Sequence, residues 1–206
     1  MKNSANSQIP SVKIGKQVWM KRNLDVTVFN NGDPILQIET AEEWMEAGEK
    51  KIPACCYYEN DSSYGEVFGM LYNWYAVSDP RGLAPIGWRI PDENDFQELA
   101  DSFGGDSDAG VELKSTSSRW ENYGVEEDED CKGTNKSGFN GLPGGSRGEC
   151  RGEDFFAMGG NGDWWSLTED PDDTTCALKR GLAFDSMEFD KASQYKYCGF
   201  SVRCLK

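Results

Sequence analysis

Apolar and polar positions alternate through Ser11-Val12-Lys13-Ile14 and again through Gln17-Val18-Trp19-Met20, on either side of Gly15-Lys16. Period-two patterning around a glycine-containing dipeptide predicts a β-hairpin. The period changes at Thr40, which has the spacing of a capping box with Glu43 and starts a short helix carrying Trp44 and Met45; Gly48 is placed to end it. From Cys55 to Val77 the chain is dense in aromatics, and Gly69 to Val77 suits either a buried helix or a buried strand, helix being the favoured of the two. The sharpest junction is Gly87 to Leu99. Pro91 stops an extended segment, Asp92 is placed as N-cap, Asp95 suits the helix's positive end, and Phe96, Leu99 and Ala100 share one face.

From Gly104 to Gly162 the pattern dissolves into Gly, Ser, Asp and Asn, with short islands at Val111 to Lys114 and Phe155 to Met158. A structureless stretch of this size in a compact domain has to be functional or pinned in place. Within it, Gly141-Leu142-Pro143-Gly144-Gly145-Ser146-Arg147-Gly148 lacks the Gly-Lys-Ser/Thr of a phosphate loop and reads as a tight backbone crossing. Strand patterns return at Trp164 to Thr168, Ala177 to Phe184 and Gly199 to Leu205. No linker or repeat interrupts the chain after about residue 12, so the expectation is a flexible segment over 1–11 and a single domain over 12–206.

Composition narrows the chemistry. The 206 residues are 37% hydrophobic and 12% aromatic, enough for one core. Acidic side chains outnumber basic ones 36 to 21, a net charge of −15, which repels phosphate backbones and argues against nucleic acid. There is no histidine, which removes Ser-His-Asp and Cys-His catalysis and the commonest zinc sites. No apolar run is long enough for a membrane span. Met1 to Pro10 lacks the apolar core of a signal peptide, so the export argued next would need a signal segment that this sequence does not carry.

The seven cysteines form no C-x-x-C pair. They read as a partial disulfide framework in an exported protein, with Cys131–Cys150 closing the loop between two glycine-rich stretches and Cys176–Cys198 tying the ends of a hairpin. Adjacent Cys55 and Cys56 bridge only with strain and have no neighbouring base to activate them.

Several blocks together carry a family resemblance. Val12-Lys13-Ile14-Gly15-Lys16-Gln17-Val18-Trp19-Met20-Lys21-Arg22-Asn23-Leu24, then Leu71-Tyr72-Asn73-Trp74-Tyr75-Ala76-Val77 and Gly87-Trp88-Arg89-Ile90-Pro91, resemble the opening half of the Fibrobacter succinogenes major paralogous domain. Ser137-Gly138-Phe139-Asn140-Gly141-Leu142-Pro143-Gly144-Gly145-Ser146-Arg147, Trp164-Trp165-Ser166-Leu167-Thr168-Glu169 and Gly199-Phe200-Ser201-Val202-Arg203-Cys204 continue the resemblance in the family's order. Arg89 to Phe96, Gly162-Asp163-Trp164-Trp165 and the closing Gly199 to Arg203 are also similar to signatures of formylglycine-generating enzymes. The resemblance implies an α+β, C-type lectin-like fold: a small twisted antiparallel sheet joining the termini, two flanking helices and a long irregular loop region. Where many family members have Cys-Pro before the Gly-Trp pair, this chain has Ala84-Pro85, which leaves Cys204 to pair with Cys55 or Cys56 or to stay a core thiol.

Each candidate site competes with a structural role. Trp74, Trp88, Trp164 and Trp165 lie in apolar segments and are expected in the core. Trp120 and Tyr123, in the polar insertion, are the candidate stacking platforms, and Asn161 and Asp163 complete the ligand-binding set. Glu126 to Asp130 lacks the spaced ligands of an EF-hand and reads as a solvated run. Glu169, Asp170, Asp172 and Asp173 are the candidate metal ligands; no cofactor is otherwise expected, and calcium is the ion such a cluster would suit. The expected function is a non-catalytic binding module of a secreted or cell-surface bacterial protein, recognising an extracellular glycan or protein through 104–162. A display scaffold without a small ligand is the alternative. A formylglycine-type oxidase is the weaker enzymatic one, since Cys198 and Cys204 sit in no copy of that active-site motif.

Overall fold

The computed structural model describes residues 9–121, 129–148 and 154–206. In chain order the strands are β1 (Ser11–Ile14), β2 (Gln17–Met20), β3 (Leu36–Gln37), β4 (Ala54–Cys56), β5 (Leu71–Tyr72), β6 (Gly144–Arg147), β7 (Phe155–Met158), β8 (Asn161–Glu169), β9 (Cys176–Ala183) and β10 (Asp190–Tyr195). The helices are α1 (Ala41–Glu49), α2 (Gly65–Phe68), α3 (Trp74–Val77), α4 (Glu93–Asp101) and α5 (Ala109–Leu113). The class is α+β. The described strands form four small sheets, with orders β1-β2, β10-β9-β8, β3-β4-β5 and β6-β7.

The hairpin forms in the predicted register, Val12 opposite Trp19 and Ile14 opposite Gln17, with Gly15 at φ 56° in the turn. The termini meet on it: Val18 and Lys206 exchange backbone hydrogen bonds of 2.9 Å, and Leu205 bridges both Trp19 and Arg89. The two longer helices cap as the sequence dictates. Thr40 Oγ1 accepts from the Glu43 amide, and Asp92 and Asp95 form a reciprocal capping box at α4. Gly48, however, does not end α1. It lies inside the helix, where a Cβ would come within 2.4 Å of Tyr197 Cβ, so its smallness serves close packing; the chain turns at Lys51, φ 56°.

Two further expectations need correction. Gly69 to Val77 is not one helix: β5 pairs with β4, then Asn73 breaks the strand and caps the single turn of α3, its Oδ1 accepting from the amides of Ala54 and Ala76. Nor is 104–162 irregular throughout. It holds α5, β6 and β7, and it sends Phe139 fully into the core beside Trp19 and Trp164. Gly141 is the predicted tight crossing: its amide donates to Leu113 O, it accepts from Ser115, and a Cβ there would come within 2.6 Å of Leu182 Cδ1.

Buried polar atoms stitch the core. Asn23 Oδ1 accepts from Trp164 Nε1 (2.8 Å) and from Arg203 Nε (3.0 Å), while Arg203 Nη1 donates to Phe139 O. Arg203 lies 4.3 Å over the Phe139 ring, and burial lowers its guanidinium to about 9, still protonated at neutral pH. Arg147, also fully buried, donates to the carbonyls of Ile38 and Glu39 and to Asp154, between the rings of Trp44 and Phe155. Of the tryptophans expected inside, Trp74, Trp164 and Trp165 are buried, and Trp88 is half-buried under Lys206.

Candidate functional site

The sheet β8-β9-β10 positions the candidate site. Side chains alternate across a strand, so each row of paired residues lies on one face. Trp164 and Arg180 form a row facing α4, where Arg180 reaches Glu93, Gln97 and Asp106. The opposite face carries Asn161 beside Ala183, then Asp163, Gly181 and Asp190 in one row, then Trp165, Lys179 and Ala192 in the next.

This second face opens into a cleft of about 230 Å³ whose floor is Asn161, Asp163, Lys179 and Gly181. Ser186, Glu188 and Asp190 form its rim. Asp163 is 1% exposed and accepts from Lys179 Nζ at 2.5 Å. The pair fits because Gly181 has no side chain: a Cβ would stand 2.6 Å from Asp163 Oδ1 and 3.1 Å from Lys179 Nζ. The cleft is below the roughly 300–1,000 Å³ of sites that enclose drug-sized ligands. It suits one ring or one side chain, held by hydrogen bonds.

The predicted residues fall unevenly around it. Asn161 and Asp163 line the cleft itself. Trp120 stands beside its wall: Lys114 Nζ lies 5.8 Å from the Trp120 ring and donates to the carbonyls of Ala183 and Ser186 at 2.9 and 2.6 Å. Trp120 is half-buried and ties its indole N–H to Ser115 Oγ, so only part of the ring is open as a platform. Tyr123 lies outside the described residues. Lys179, Gly181, Glu188 and Asp190 escaped the sequence reading, although two adjacent cations between Leu178 and Leu182 in an otherwise apolar strand were a signal that charge is placed inside. A second groove of about 280 Å³ runs between Arg22, Asn23, Asp25 and Glu66, with Gly65 and Gly69 also lining it.

The other candidates resolve locally. Asp170 accepts from the Asp172 amide and Asp173 from the Thr175 amide, both at 2.8 Å, and Glu169 pairs with Lys196. These carboxylates shape their own turn, and among the described residues no three His, Cys, Asp or Glu side chains group as metal ligands. Cys176 and Cys198 do not bridge, contrary to expectation: Cys176 Sγ donates to Asp173 Oδ2 and Cys198 Sγ to Gly148 O, each at 3.6 Å. Cys176 pairs with Tyr195 in the ladder, and Cys198 lies three residues further on in the following turn. The Cys131–Cys150 pairing lies outside the described residues, because Cys150 does. Burial pushes the Cys55 thiol up to about 12 and Cys56 to about 11, which makes them core atoms rather than nucleophiles. Cys204 is a buried thiol in the same core as Cys55, and burial raises it as well.

The family profile of the Fibrobacter succinogenes major domain matches residues 12–206. The chain belongs to that family. No curated protein and no solved structure matches it. In this member of the Fibrobacter succinogenes major domain family, the blocks that carry the resemblance go mainly into the core. Asn23, Asn73, Phe139, Arg147, Trp164 and Arg203 are all buried and bonded to one another or to backbone. The cleft draws on residues largely outside those blocks, Asn161, Lys179, Gly181 and Asp190 among them.

Proposed function

We propose that this domain is a non-catalytic binding module of a secreted or cell-surface bacterial protein, and that it recognises a neutral or amino-bearing sugar through the Asn161–Asp163–Lys179 cleft with Trp120 at its side. The observation that carries this reading is the row Asp163, Gly181, Asp190: a bare glycine between two carboxylates leaves fixed acceptors around a ring-sized space. Hydroxyl and ammonium donors match such a lining, whereas the carboxylates at the rim and the net charge of −15 repel anionic sugars. A C-type lectin-like architecture for the domain draws support from the joined termini and from the two flanking nine-residue helices. The oxidase alternative gains nothing from Cys198 and Cys204, both fully buried. The display-scaffold alternative draws on the burial of the family blocks.

The test is an array of neutral, amino-bearing and anionic oligosaccharides probed with the intact chain, followed by calorimetry on the hits. Binding to neutral or amino sugars, weakened at least about tenfold by Asn161→Ala and by Trp120→Ala, supports the reading. A folded protein that binds no glycan, or binds anionic ones unaffected by those substitutions, overturns it.

A further inference from the structure

Lys179 and Asp163 sit diagonally across β9 and β8 with their side chains 8% and 1% exposed. Their neighbours on the dry side are aromatic: Trp165, directly opposite Lys179 and fully buried, and Phe200, whose ring centroid is 5.7 Å from Lys179 Nζ. A cation and an anion in such a site bear a desolvation penalty that their mutual attraction offsets only in part, so moving the proton from nitrogen to oxygen, which leaves an amine and a carboxylic acid, costs far less than in water. The nitrogen already touches the carboxyl group, at 2.5 Å from Oδ1, and neither strand has to move to bring them together. A second carboxylate occupies the same row: Asp190 stands opposite Gly181 on the far side from Asp163, exposed at the rim of the cleft that both carboxylates line.

We propose that Lys179 and Asp163 condense into an intramolecular isopeptide bond, with Asp190 as the proton relay. The neutral amine adds to Asp163 Cγ, forming the C–N bond. Asp190 takes a proton from the nitrogen and returns it to the departing hydroxyl, the C–O bond breaks, and one water leaves through the cleft to solvent. Nothing is oxidised or reduced and no further reactant is required. The amide replaces one buried cation and one buried anion, leaves the net charge unchanged, and covalently locks β8 to β9, the two longest of the described strands.

Intact mass spectrometry of the denatured full-length chain, with peptide mapping, tests this. The expected result is a mass lower than the sequence mass by one water, with the loss mapped to a cross-linked peptide pair joining the segments that contain Asp163 and Lys179. Lys179→Arg keeps a cation opposite Asp163 but cannot form the amide, so it is expected at full sequence mass; its circular dichroism checks that it folds. Asp190→Ala is expected to leave a mixture in which the uncrosslinked form predominates and converts slowly on storage. An unshifted mass for the wild-type chain after prolonged incubation, or a water loss that maps elsewhere or persists in Lys179→Arg, overturns the proposal. Because the readout is a mass and not sugar binding, its failure is distinguishable from that of the glycan reading; in the cross-linked form Asp163 keeps one carbonyl oxygen as an acceptor on the cleft and Asp190 keeps its carboxylate.

Discussion

Around Asn23 the buried charge of Arg203 is met by an amide oxygen, a carbonyl and two aromatic rings, packed by Trp164, Phe139 and Ser201, and only the Asn23 end of the cluster borders a groove. On the outer face of β8-β9-β10 the buried charge of Lys179 is met by a carboxylate, and the space beside it is open. The first arrangement joins residues 23, 139, 164 and 203 and leaves the Arg203 guanidinium, Phe139 and Trp164 fully buried. The second joins two neighbouring strands and leaves a floor. A group that is closed by its own chain works for the fold, and one that faces a gap is available to a ligand or to chemistry. The charge alone does not tell them apart; the glycine at 181 does.

The hardest test of that contrast is Asn23→Ala. It removes the shared acceptor of Trp164 Nε1 and the Arg203 guanidinium, and it strands a buried cation, a change that costs about 3–5 kcal/mol. Against a typical domain stability of about 5–15 kcal/mol, the urea midpoint should fall sharply or the protein should fail to fold. A loss under about 1 kcal/mol would show that the Arg203 cluster is not what closes the domain. Gly141→Ala comes next. Its Cβ would meet Leu182 Cδ1 at 2.6 Å and Leu113 O at 3.0 Å, and overpacking against backbone that cannot yield costs about 1–3 kcal/mol.

The sequence revealed the stitched region better than the open one, for a physical reason. Hairpin, capping box and glycine crossing are each encoded within a few residues, so Gly15, Asp92 and Gly141 announce themselves. The Arg203 cluster was legible only as separate blocks in one order, because the hydrogen bonds that form it join residues 64, 141 and 180 positions apart in sequence. The cleft was half legible. Asn161 and Asp163 were in the candidate set, but their partner Lys179 depends on register, and a shift of one residue would have sent it to the α4 face with Arg180. The hairpin disulfide was misread for a similar reason: closeness in sequence to both hairpin ends does not place Cys176 and Cys198 at facing positions.

Asp95 offers a smaller perturbation on the closed side of the contrast. Burial alone would raise its pKa, but the Arg89 guanidinium and the capping-box amide of Asp92 outweigh that and hold it below the ordinary 3.8. A carboxylate depressed in the folded state contributes stability above its unfolded value and loses it as the pH falls through the folded one. Asp95→Asn should therefore cost about 1 kcal/mol at neutral pH, and its denaturation curve should converge on that of the wild type in strong acid. A gap that persists unchanged in acid would mean that packing, and not charge, explains the loss.

Gly181→Ala has the smallest expected effect on stability and separates the two regions most cleanly from Gly141→Ala. Both methyl groups would come within 2.6 Å of an existing atom, but at Gly181 the atoms met are the ends of flexible side chains, Asp163 Oδ1 and Lys179 Nζ, which can swing into the cleft. Alanine also restricts the unfolded chain more than glycine, a gain of about 0.5–1 kcal/mol in a strand, so the unfolding free energy should stay within about 1 kcal/mol of that of Lys179→Arg, which likewise lacks the amide. The consequence should appear in the cleft instead. Driving the ammonium and carboxylate apart is expected to leave the full sequence mass, with the condensation blocked, and to weaken sugar binding by at least about tenfold, while circular dichroism stays that of the wild type. If Gly181→Ala destabilises the protein as much as Gly141→Ala does, the outer face is as closed as the core and the distinction between the two regions collapses.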